Sequence, residues 1–229
     1  MHFYGVSVVV ALAASLVQVK ASPIEHVVVL MLENRAFDHM IGLLMGNNSE
    51  INGITGEETN PLYPMEPGSP VAKINTSAPY VPAGDPSHSV DGTTVQIFGA
   101  MNASREEALM NGFAASGIKS GIGPTTPLMA FKPEELPVMS TLASEFALFD
   151  EWHVSVPGPT EPNRLFFHAG SSNGTCSTDD WVDFLGWGLV PFYSELEAAG
   201  IDWSIYFEEI PDTFMFNWMR QEKYWKNNR

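Results

Sequence analysis

The stretch Val27-Val28-Val29-Leu30-Met31-Leu32-Glu33-Asn34-Arg35-Ala36-Phe37-Asp38-His39-Met40-Ile41 decides how this chain is read. Its first six residues are continuously apolar, the pattern of a strand covered on both faces in a parallel sheet. Polar Glu33-Asn34-Arg35 follow at once. Phe37, Met40, Ile41 and Leu44 then recur at i, i+3, i+4 and i+7, one face of a helix. The order is strand, polar corner, helix. In open α/β sheets ligands bind at the carboxyl ends of strands, which is where Glu33 and Asn34 fall. A carboxylate and an amide oxygen side by side are hard donors suited to Mg2+, Ca2+ or Mn2+. The same pair also reads as an ordinary acidic helix start.

The order returns downstream. Residues 149–156 read as a second strand that runs into Pro157-Gly158-Pro159-Thr160-Glu161-Pro162-Asn163-Arg164, with a helical pattern over 165–169. Thr160 lies between two prolines at the predicted helix start, where unpaired backbone N–H groups attract anions. A hydroxyl there, beside a metal ion, can ionise and attack phosphorus; the plainer reading is a capping threonine. Asn163 and Arg164 are candidate phosphate ligands, Arg164 through its bidentate guanidinium, or else solvated first-turn residues. His88, in the turn Asp85-Pro86-Ser87-His88, is a candidate proton donor or an exposed turn histidine.

Elsewhere the pattern is coarser. Residues 46–100 read as loop. Ser104 and Glu107 form a capping-box pattern that predicts a helix over 104–115. A helix is expected over 137–146, another over 191–199 closed by Gly200, a third strand over 203–207, and the start of one more helix within 211–226. Asp179-Asp180 reads as a solvated turn.

The 229 residues are 45% hydrophobic, enough for one domain with a sizeable core. Eleven Lys and Arg against 27 Asp and Glu give a net charge of −16. Such a surface disfavours nucleic acids and anionic membranes as electrostatic partners. Peripheral contact of apolar loops with a neutral lipid surface stays open. Residues 8–17 are apolar except for Ser15 and too short to span a bilayer comfortably. Val19 and Ala21 occupy the small-residue positions of a cleavage site, so residues 1–21 are expected to be a signal peptide and the product secreted. Four N-x-S/T sequons, at Asn47, Asn75, Asn102 and Asn173, are candidate glycosylation sites. Cys176 is the single cysteine, which rules out an intrachain disulfide and is expected to be buried.

Taken together, four segments resemble one family in order. Residues 33–42 resemble the E-N-R-S-F-D-H-x-x-G signature of bacterial phospholipases C, plant non-specific phospholipases C and related acid phosphatases, with Ala36 in place of the usual Ser. Asp85-Pro86-Ser87-His88 resembles its D-P-x-H segment. Residues 155–164 resemble its V-P-G-P-T-x-P-N-R segment, and residues 201–219 the region around I-Y-x-x-x-I-P. The resemblance implies an alkaline-phosphatase-like three-layer α/β/α sandwich, with residues 22–229 as its N-terminal part. It implies Glu33, Asn34 and Thr160 as ligands of a divalent metal ion, Thr160 as nucleophile, and His88 near the phosphate or leaving group. The implied substrates are phospholipids or phosphomonoesters. The family's later D-D-H-G-G-like segment, with further acidic ligands, has no counterpart in these 229 residues, so the sandwich is expected to be truncated. Two functions follow: a secreted phosphoric ester hydrolase, or a catalytically inactive protein that binds phosphate or phospholipid or serves in interactions.

Overall fold

The computed structural model describes residues 24–178 and 186–229. The expected signal peptide and Asp179-Asp180 lie outside them. The chain divides into two units, one ending at Asn34 and one spanning Arg35–Arg229. The described residues mix helix with a small sheet, consistent with the α/β class.

In the first unit the expected strand over 27–32 does not form. The run is irregular and exposed, with Val27 at 81%, Val28 at 89% and Leu30 at 78%. β-Branched content favours a strand only where neighbours pair its backbone and cover its faces, and none of the described residues of this unit does so. The run ends at Asn34 in the left-handed region, φ 82°, which Asn tolerates better than most residues.

The second unit begins with α1 (Phe37–Met40), continued by a 3-10 turn over Gly42–Gly46. Arg35 anchors this start: its Nη2 donates to the Tyr80 carbonyl at 2.7 Å, and its guanidinium lies over the Phe131 ring. Strands β1 (Thr59–Pro61) and β2 (Val71–Lys73) pair antiparallel, Asn60 opposite Ala72. α2 (Val90–Phe98) and α3 (Phe113–Lys119) follow. The hairpin and α2 fall where only loop was expected. α2 carries a clear local signal: the Ser89 hydroxyl accepts from Gly92 N at 3.0 Å, and Gly99 closes the helix at φ 82°.

The helix expected over 104–115 is displaced to α3. The Ser104 hydroxyl accepts only from Glu106 N, at a long 3.3 Å. Met110 N and Gly112 N donate instead to the carbonyls of Ile97 and Gln96 at the end of α2. Buried Asn60 completes the arrangement, donating to Met110 O and accepting from Ala114 N. Tertiary hydrogen bonds thus take the donors that the helix would have used. Gly112 is required by this approach, because a Cβ there would lie 1.8 Å from the Val95 carbonyl oxygen.

α4 (Pro137–Glu145) and α5 (Thr160–Ala169) form close to expectation. The intervening strand over 149–156 does not: the segment is irregular, with Phe149 and Trp152 exposed. Like residues 27–32, it finds no ladder among the described residues. α6 (Tyr193–Ala198) ends as predicted at Gly200, φ 67°. Gly200 N donates to Glu197 O and Ile201 N to Leu196 O, the paired bonds of a Schellman motif. The strand expected over 203–207 is reduced to one bridge, Ile205 with Asn228, and the helix expected within 211–226 is two short 3-10 turns, Asp212–Met215 and Glu222–Asn227.

The core of this region gathers Leu165, Trp187, Tyr193, Met215, Phe216 and Met219. It packs α5 and α6 against the segment around residue 215, and Trp203, Trp218 and Tyr224 stack at its border. α5 is therefore fixed from below while its first turn stays half-buried.

Candidate functional site

α5 starts where its sequence dictates. Pro159 is the cap residue with its φ set at −75°, and Thr160 is the first helical residue. Thr160 is therefore not the capping threonine of the plainer reading. Pro162 lacks an N–H at a place where no intrahelical acceptor exists, and Glu161 complements the positive end of the helix dipole. Gly170, at φ 67°, terminates the helix.

The corner before Thr160 is held by Asn163. Its Oδ1 accepts from Ser155 N and Val156 N at 3.1 and 3.0 Å; its Nδ2 donates to the carbonyls of Val156 and Pro159 at 3.0 and 2.9 Å. The side chain read from sequence as a phosphate ligand thus gives its amide to the loop that presents Thr160. Gly158 allows this loop to pass Val90, since a Cβ would come within 2.9 Å of Val90 Cγ2. Val90 opens α2, two residues after His88. The start of α2 and the loop leading to Thr160 thereby meet.

His88 Nε2 lies 2.8 Å from Asp85 Oδ2, with the histidine about two-thirds buried by side chain. A carboxylate on one ring nitrogen fixes ring orientation and tautomer. Ser89, Val90, Asp91, Pro159, Cys176, Ser177 and Thr178 line an open cleft of about 340 Å3. A second cleft, of about 540 Å3, lies along Glu161, Thr178, Pro211, Asp212, Phe214 and Arg220. The clefts share Thr178 and flank the first turn of α5. Cys176 is exposed on the rim of the first, contrary to expectation: the loop after Gly174 runs over the surface instead of entering the core.

Arg164 sits between two carboxylates. Its Nη1 bonds Asp212 Oδ1 and lies 3.8 Å from Glu161 Oε1. Asp212 also faces His168, Oδ2 to Nε2 at 3.5 Å, and His168 Nδ1 pairs with the Tyr193 hydroxyl at 3.0 Å. Burial, aided by the Asp212 charge, pushes the Tyr193 phenol up to about 12. The folded state then holds a proton that the unfolded chain releases near pH 10. Stability conferred by the neutral phenol is complete below pH ~10 and is lost as the pH rises to ~12, on the order of 2 kcal/mol. Alkaline melts of the native chain and of Tyr193→Phe should diverge in that window; parallel curves would refute it.

Glu33 and Asn34 belong to the first unit and are exposed. By type each carries an oxygen donor that a hard divalent cation accepts, while Thr160 belongs to the second unit. Among the described residues no group of three or more His, Cys, Asp or Glu could hold a metal ion. Asn47, Asn102 and Asn173 are exposed, and Asn75 is partly buried.

Sequence reasoning missed Asp212, Glu161 and His168. The available signal was the i, i+4 recurrence of Thr160, Arg164 and His168 along one helix face. Their partner, 48 residues beyond Arg164, carries no local signal.

Comparison with known proteins bears on the whole second unit. A model of the Phosphoesterase family matches residues 24–229. Non-specific phospholipase C1 of Arabidopsis thaliana is 39% identical over 204 residues, covering 88% of this chain and 38% of that protein. Non-specific phospholipase C6 of the same plant is 38% identical over 205 residues, with 89% and 38% covered. Hemolytic phospholipase C of Pseudomonas aeruginosa is 26% identical over 223 residues, with 89% and 28% covered. The chain thus spans 38% of the length of the two plant relatives.

Proposed function

Because the chain belongs to the Phosphoesterase family, we propose that it acts as a secreted phosphoric ester hydrolase of phospholipase C type, with Thr160 as nucleophile. The observation that carries this reading is the placement of Thr160 as first residue of α5, on a corner pinned by Asn163 and packed beside the helix that follows His88. In the proposed reaction the Thr160 hydroxyl gives its proton to solvent as its oxygen attacks phosphorus. The bond from phosphorus to the diacylglycerol oxygen breaks, and that oxygen takes a proton, with His88 as donor. Water then attacks phosphorus and passes one proton to His88, the bond to Thr160 breaks with its oxygen reprotonated from solvent, and the phosphorylated head group departs. The N–H groups opening α5 favour the negative charge of the phosphoryl oxygens.

A divalent metal ion, when bound, would make the hydroxyl more acidic and neutralise phosphoryl charge. Glu33, Asn34 and Thr160 are its proposed donors, and further oxygens are needed to complete its shell. Arg164 is the proposed phosphate-side cation, and Asn163 holds the corner. The same reading includes secretion after removal of residues 1–21, glycosylation at the sequons, and a phospholipid or phosphomonoester substrate.

The test is release of phosphocholine from phosphatidylcholine in mixed micelles. Turnover is expected to disappear on chelation and return with added Mg2+, Mn2+ or Ca2+. Turnover indifferent to chelation would refute the metal assignment. A second reading, phosphate or phospholipid binding without turnover, is favoured by the lack of a three-ligand cluster among the described residues. Saturable binding of phosphatidylcholine micelles with no product in any metal would select it.

A further inference from the structure

Asp212 reaches two residues on one face of α5. Its Oδ1 bonds Arg164 Nη1, and its Oδ2 lies 3.5 Å from His168 Nε2. Residues 164 and 168 are one turn apart, and Thr160 is one turn further up the same face. The far side of His168 is closed by the Tyr193 hydroxyl, and the Phe216 ring stands edge-on to the imidazole at 5.7 Å. Asp212 does not move freely: Pro211 and Thr213 beside it are buried. A helix can still turn slightly about its axis while its apolar face stays buried. A carboxylate bonded to one position and close to a second on the same face limits that freedom.

We propose that Asp212 is a positioning residue for Thr160: by holding Arg164 and His168 it sets the rotation of α5, and with it the direction of the Thr160 hydroxyl and of the Arg164 guanidinium. The kinetic part of this inference rests on the hydrolase reading above; the geometric part does not. A misplacement of about 1 Å at a reacting group costs on the order of 100-fold in rate.

The experiment uses the full chain and the variants Asp212→Asn, Asp212→Glu, Arg164→Lys and the Asp212→Asn/Arg164→Lys double. The first readout is the methyl resonance of Thr160 in threonine-methyl-labelled protein, assigned by its loss in Thr160→Ser. Asp212→Asn is expected to shift and broaden this resonance while the melt stays cooperative, and Asp212→Glu to restore it in part. The second readout is turnover of phosphatidylcholine micelles. Asp212→Asn should lower kcat by roughly 10- to 100-fold with KM within about twofold, and the double variant should lose less than the product of the two single losses.

An unmoved Thr160 methyl in a folded Asp212→Asn protein overturns the proposal, as do strictly additive losses in the double variant. If the native chain shows no turnover, the hydrolase reading fails alone, and the methyl resonance decides the positioning claim. If Asp212→Asn does not fold, Asp212→Glu and Arg164→Lys give the same methyl comparison.

Discussion

Thr160→Ala is expected to lower phosphate-ester turnover by about 10^3-fold or more, with the melting temperature changed by no more than ~2 °C. The rate loss follows from removing the only atom assigned to attack phosphorus; loss of a covalent nucleophile is among the largest single effects in enzymes. The small change in stability follows from position. Thr160 is half-buried and is the first helical residue, while Pro159 occupies the cap. Alanine suits that position and leaves the Asn163 bonds to the corner intact. Thr160→Ser keeps the hydroxyl and should retain turnover within roughly 100-fold. Steady-state assays beside melts separate the outcomes. Activity unchanged in Thr160→Ala would remove Thr160 from the chemistry.

The largest effect on stability is expected at Phe216. Its side chain is fully buried, its ring stands edge-on to His168, and its neighbours bridge to Trp187: Trp187 N donates to Met215 O and Asn217 N to Trp187 O. Phe216→Ala leaves a cavity where α5, α6 and the 3-10 turn over Asp212–Met215 converge. The cost is about 3–5 kcal/mol, or roughly 10 °C in melting temperature for a domain of this size. Denaturant unfolding monitored by tryptophan fluorescence measures it. A loss under about 1 kcal/mol would mean that this cluster is not the core.

The two predictions draw on different parts of what was legible in the sequence. The Thr160 corner was readable because its determinants are local: prolines that set φ and a helix start. α4 was readable for the same reason, from Val138, Leu142 and Phe146 at spacing four. Yet those three residues are 72%, 52% and 72% exposed. Periodicity reports the helix, not what covers it. The runs 27–32 and 149–156 make the same point for strands: composition matches a buried sheet, but a strand exists only with its neighbours.

The remaining losses were long-range. The hairpin hides in a Gly- and Pro-rich stretch and matters because Asn60 reaches Met110 and Ala114. The helix over 104–115 had a proper start signal and lost its donors to α2. At the site, residue identity suggested phosphate contact for Asn163 and Arg164. The fold gives the Asn163 amide to the corner backbone and puts Arg164 between Glu161 and Asp212. Spacing shows Glu161 three residues before Arg164 but not Asp212, 48 residues beyond it, nor the loop backbone that Asn163 holds.

In the proposed reaction phosphorus becomes bonded to Thr160 during turnover. The direct measurement is an acid quench of the full chain during turnover of p-nitrophenyl phosphorylcholine with divalent metal, followed by proteolysis and peptide mass spectrometry. A peptide containing Thr160 that carries the mass of the phosphocholine group is expected, absent from Thr160→Ala. Product release with no adduct at Thr160, or an adduct on another residue, would contradict it.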